Sequence, residues 1–82
     1  MGEINNNIPV AVYPNPTSGN VKIEAEGLQR IQVYNTLGQL VESHQADGDV
    51  LECDLSRHVA GVYLVRMETA KGIATKRVVV AK

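Results

Sequence analysis

The sequence predicts an all-β sandwich, and three observations carry that prediction. Short apolar stretches alternate residue by residue, as in Val21-Lys22-Ile23-Glu24-Ala25 and Arg30-Ile31-Gln32-Val33-Tyr34. That is the period of a strand with one dry and one wet face. Gly, Asn, Asp and Pro interrupt these stretches at roughly 8–12-residue intervals, the turn spacing of a sandwich. The stretch Ser56-Arg57-His58-Val59-Ala60 is too short for more than one helical turn.

Residues 1–8 are a polar, Asn-rich lead-in without periodicity, read as linker. One domain is expected over residues 9–82. After Pro9, Val10–Tyr13 is a first short strand. Pro14 and Pro16 exclude a helix and remove two backbone donors. They also push Tyr13 and Asn15 towards extended geometry. Thr17-Ser18-Gly19-Asn20 turns the chain. In the second strand Val21, Ile23 and Ala25 face inward, and Gly27 ends it. Ile31 and Val33 are the inward residues of the third. Asn35-Thr36-Leu37-Gly38 has the chemistry of a type I turn closed by a left-handed glycine, leading into Gln39–His44. Ala46-Asp47-Gly48-Asp49 turns into Val50–Leu55. A single turn capped by Asp54 or Ser56 follows, and Gly61 releases the chain into Val62–Glu68. Tyr63, Val65 and Met67 make one face of that strand. Val62, Leu64 and Arg66 make the other, apolar enough to predict partial cover. Thr69–Gly72 turns the chain once more, and Ile73–Val80 returns. Seven such strands predict a sandwich of immunoglobulin-like type.

The chain has 82 residues and neither Trp nor Phe, so the core must be aliphatic and no aromatic platform awaits bases or sugars. Cys53 is the sole cysteine, which excludes an internal disulfide. It reads as a small buried hydrophobe whose thiol pKa is raised by Glu52 and Asp54. The charge is uneven. Five acids and no Lys or Arg lie between Ile31 and Ser56, whereas Lys71, Lys76, Arg77 and Lys82 follow Thr69 with no acid among them. Four bases without interleaved aromatics are a weak phosphate footprint, so nucleic acid is not an expected partner. No apolar run is long enough to span a membrane as a helix, and the first seven residues lack the pattern of a signal peptide.

No constellation points to catalysis, a metal or a cofactor. Asp54, Ser56 and His58 carry the residue types of a hydrolytic triad, but five consecutive positions cannot place Ser and Asp on opposite sides of the imidazole. Asp47-Gly48-Asp49 lacks the further acids of a calcium loop. His44 and His58 have no ligand cluster at suitable spacing and read as exposed surface residues.

Three stretches carry a resemblance: Tyr13-Pro14-Asn15-Pro16-Thr17-Ser18-Gly19-Asn20-Val21, Ile31 to Val41, and Asp54-Leu55-Ser56 with Ala60 to Arg66 and the closing Lys76-Arg77-Val78-Val79-Val80. In this order and spacing they resemble the C-terminal sorting domain of cargo exported by the type IX secretion system of Bacteroidetes-type bacteria. One position departs from the family, which often has Pro where Val59 stands. The resemblance implies a detachable address with no reaction of its own, fused behind an N-terminal cargo domain. Such cargo crosses the periplasm to the outer membrane and cell surface. There the apparatus recognises the domain and a sortase removes it, cutting within Gly2, Glu3, Ile4, Asn5, Asn6 and Asn7 or just upstream. The essential information is expected in the last two strands, at Gly61, Tyr63, Lys76, Arg77, Val78, Val80 and Lys82. The terminal strand, apolar and without Pro, also predicts weak homodimers by strand exchange. An immunoglobulin-like binding or spacer module retained on a surface enzyme or adhesin stays open as the alternative.

Overall fold

The computed structural model describes residues 9–81, and it contains strands and turns but no helix. The elements are β1 (Val10–Tyr13), β2 (Asn20–Ala25), β3 (Leu28–Tyr34), β4 (Leu40–Gln45), β5 (Val50–Asp54), β6 (Gly61–Thr69) and β7 (Gly72–Val80). Each predicted strand is present, and the bounds differ by a residue or two, which is the usual scatter at strand ends. Two antiparallel sheets form the sandwich, one ordered β1-β2-β5 and the other β4-β3-β6-β7.

The alternation seen in the sequence sets the core. Val21, Ile23 and Ala25 of β2 meet Ile31 and Val33 of β3, Tyr63, Val65 and Met67 of β6, and Ala74, Val78 and Val80 of β7; Cys53 and Leu55 complete one buried cluster. The opposite face of β6 is partly covered: Val62, Arg66 and Glu68 are half-buried, whereas Leu64 is 42 % exposed. Part of that outer face is polar instead, because Arg66 donates to Gln32 at 2.7 Å and both Arg30 and Arg66 reach Glu68.

The turns follow their chemistry. Asn35 Oδ1 accepts from the N–H groups of Leu37 and Gln39, and Gly38 closes the β3–β4 turn at φ +82°, where a side chain would be strained. Gly27 serves a close approach: at φ +70°, a Cβ there would lie 2.9 Å from that of Ala70. After β5, Asp54 Oδ1 accepts from Ser56 N–H and His58 N–H bonds Leu55 C=O, which gives the single capped turn expected from the sequence.

Candidate recognition site

The Pro-rich motif acts on the opposite end of the described chain. Tyr13 still pairs with Lys22 in the first sheet, but Thr17 bridges Val80 of the second in parallel. Between them lie Pro14 and Pro16, both following cis peptide bonds. Lacking donors, the prolines cannot continue a ladder, and the chain crosses from one sheet to the other. Asn15 there does what a short strand would do. Its Nδ2 donates to Arg77 C=O at 2.8 Å, and its Oδ1 accepts from Val79 N–H at 3.0 Å. Thr17 N–H donates to Val79 C=O, and Ala81 N–H to Thr17 C=O. Thr17 is itself buried, its hydroxyl donating to Asn20 C=O and accepting from Gly19 N–H.

This arrangement caps only half of an edge. β7 is the outermost strand of its sheet. Because Val79 bonds outward to Asn15 and Thr17, the odd-numbered residues of β7 direct their backbone groups away from β6. Beyond the cap, the N–H and C=O of Ile73 and Thr75 and the N–H of Arg77 have no partner among the described residues.

The predicted recognition residues separate into two kinds. Tyr63, Val78 and Val80 are buried, and the Tyr63 hydroxyl donates to Val59 C=O at 2.6 Å, holding the β5–β6 loop against the sheet. Their side chains fix the frame of β6 and β7. Gly61 opens β6 at φ +152° with open space where a Cβ would stand. Lys76 and Arg77 are exposed, and neither side chain has an ion pair among the described residues. Lys76 shares the parity of Ala74, Val78 and Val80 and so lies on the core-facing side of an edge strand. An inward charge at an edge discourages indiscriminate sheet pairing. Lys82 and the region Gly2–Asn7 lie outside the described residues.

The two ends of the sandwich differ. Val10, where β1 begins, pairs with Ala25, next to the 26–27 turn that bonds Asp49 and Ala70. The far end gathers the Pro14–Gly19 loop, the Asn35–Gln39 turn, the Leu55–Ala60 loop and Ala81. All three stretches behind the resemblance reach that end, which also carries the highly exposed Leu37 and Val59, at 81 % and 79 %.

One cluster was missing from the sequence reading. The carboxylate of Glu42 lies 2.9 Å from His44 Nε2 and 2.6 Å from His58 Nε2. His58 packs against the Tyr63 ring, and its side chain is 23 % exposed. It is therefore not the open surface residue expected. The signal that could have found part of this was Glu42-x-His44, which puts both side chains on one face of a strand. His58 arrives from a loop, and no spacing announces it. These contacts hold the Glu42 carboxyl below its ordinary value, the hydrogen bond to His58 contributing most and that to His44 less. A depressed folded pKa means that the carboxylate stabilises the fold above the unfolded value of 4.5 and that this contribution disappears as pH falls through the lower folded value. Glu42→Gln is expected to flatten the acid limb of a thermal-stability profile; an acid limb identical to that of the parent would refute the assignment.

Cys53 is buried and unpaired. Desolvation, with smaller effects from Glu42 and Asp54, pushes its thiol up to about 11, so it is a core residue rather than a nucleophile. No three His, Cys, Asp or Glu side chains converge as a metal site among the described residues, and no helix is long and apolar enough to cross a membrane.

A model of the secretion-system C-terminal sorting domain matches residues 11–81, nearly all of the chain. The chain belongs to that family. It is a type IX sorting signal of cargo proteins. No curated protein matches the chain significantly. For this sorting domain, the Asn15–Thr17 cap and the cationic half-edge of β7 are the features that a targeting role has to explain.

Proposed function

We propose that cargo joins the sorting domain at the end where β1 begins, and that the type IX apparatus reads the exposed part of β7 with Lys76 and Arg77 as its charged contacts. The observation that carries this reading is the pair of exposed cations, without an ion pair among the described residues, on a strand otherwise fixed by buried Val78 and Val80. Charges so placed steer association and select partners more than they add affinity. Tyr63, Val78 and Val80 serve recognition through the frame they hold, Gly61 through the backbone path it permits, and Lys82 as one more cation. Cargo carrying the domain crosses the periplasm to the outer membrane, and a sortase there cuts within Gly2–Asn7 or just upstream and releases the domain. The chain contributes binding and no reaction.

The test is a reporter with a periplasmic leader, fused at its C-terminus to this chain and made in a type IX-competent bacterium. The reporter is expected on the cell surface, and mass spectrometry of the mature protein is expected to find no peptide from residues 9–81. Retention in the periplasm would reject the apparatus as partner. A surface protein that keeps these residues would reject sortase removal and favour a retained spacer module.

A further inference from the structure

We propose that β7 is read by strand addition: an extended segment of an apparatus protein pairs with the edge from Ile73 to Arg77 and presents two successive carboxylates to Lys76 and Arg77. This rests on the sorting reading above and names the chemistry of its partner.

The unused backbone groups define the length of the contact. Ile73 and Thr75 each offer an N–H and a C=O, and Arg77 offers an N–H, all pointing away from β6. Past Arg77 the Asn15 side chain and Thr17 occupy the edge, so an added strand must stop there. Such additions take affinity from main-chain hydrogen bonds and specificity from alternate side chains. Here the alternation is informative. Lys76 projects on the core-facing side and Arg77 on the outer side, and both lie on the capless half or at its boundary. Two neighbouring residues of an added strand stand opposite them and project to the same two faces. Opposite charges placed directly across a ladder stabilise it, and like charges oppose it. The fitting segment therefore has consecutive acids opposite Lys76 and Arg77, a small residue opposite Ala74 and an apolar one opposite Ile73, which is 41 % exposed.

A second copy of this chain fits less well. β7 contains no acid, and pairing two such edges gathers four cations along one seam. Among the described residues, the acids lie elsewhere, on β2, β4, β5 and β6 and the turns near them.

The experiment uses the cargo fusion with the intact chain. Thr75→Pro removes an N–H that the fold does not use and places a ring on the free edge, where proline is tolerated when its nitrogen faces outward. The ladder to β6 runs through Ala74 and Lys76 and keeps its bonds. Surface display is expected to fall about tenfold or more while the thermal midpoint of the purified domain stays near that of the parent. Lys76→Glu with Arg77→Glu, at exposed side chains, is expected to give the same loss. Arg57→Glu, a similar charge change away from the edge, is expected to leave display intact. Full display of the charge-reversed fusion, or of a folded Thr75→Pro fusion, overturns strand addition and leaves the sorting role standing. Failure of the parent fusion to reach the surface overturns the sorting role itself. A concentration-dependent dimer that Thr75→Pro abolishes while display persists assigns the edge to a second copy and also overturns the proposal.

Discussion

Removal of residues 75–82 is expected to abolish surface display and to leave cargo in the periplasm. The effect combines two losses. The deletion takes Val78 and Val80 out of the core, where each is essentially inaccessible, and burial of each contributes about 1.5–3 kcal/mol. Their sum, about 3–6 kcal/mol, is a large share of the stability of a small domain, about 5–15 kcal/mol. It also strips the β7-facing edge of β6 of pairing along most of its length and leaves Asn15 and Thr17 with nothing to cap. The truncated domain is expected to lose its cooperative thermal transition. Fractionation of periplasm and surface, with a melting curve of the purified fragment, measures both. Display at the parental level would remove the central support for β7 as the recognised strand.

Leu55→Ala has the next largest expected effect, and it separates fold from recognition. Leu55 lies in the Asp54-Leu55-Ser56 stretch shared with the family, yet it is wholly buried, and its N–H bonds Gly19 C=O at 2.8 Å. Truncating a buried leucine costs about 2–5 kcal/mol, and each kcal/mol lowers the midpoint of a domain this size by roughly 4–8 °C. Display is expected to fall only as far as the folded fraction falls, and to recover at lower growth temperature. Charge reversal at Lys76 should do the opposite, leaving the midpoint in place and display lost at every temperature. Loss of display by a Leu55→Ala domain that remains fully folded would show that the loop itself contacts the apparatus.

Much of the fold was legible because each strand announces its buried face by alternation and each turn by its own chemistry. Asn35-Thr36-Leu37-Gly38 is the clearest case, since the side chain that bonds the turn and the glycine that closes it are adjacent in sequence. What stayed hidden depends on which strands are neighbours. Alternation gives Lys76 the parity of the core, yet on the edge strand β7 it is exposed between the buried Ala74 and Val78. The same gap hid which residue of the outer β6 face stays open: Val62 is half-buried, and Leu64 is 42 % exposed. Asn15 was expected only to be extended, because nothing local reveals that its amide bonds a strand 62 and 64 residues away. Glu42 was read as one acid in a run, and its two histidines converge on it only through tertiary structure.

The bonds between Asn15 and β7 also bear on timing. They join a motif made at the start of the domain to a strand made some sixty residues later, and pairing between such distant segments is slow to form. A polypeptide interrupted just before Gly72 possesses every other strand, and Asn15 and Thr17 as well, but no β7 for them to cap. Its β6 would expose Tyr63, Val65 and Met67 along an unpaired border, a substrate for proteolysis rather than for export. If β7 is the strand that the apparatus reads, as proposed above, the domain would certify cargo for the surface only when its message has been translated through to β7.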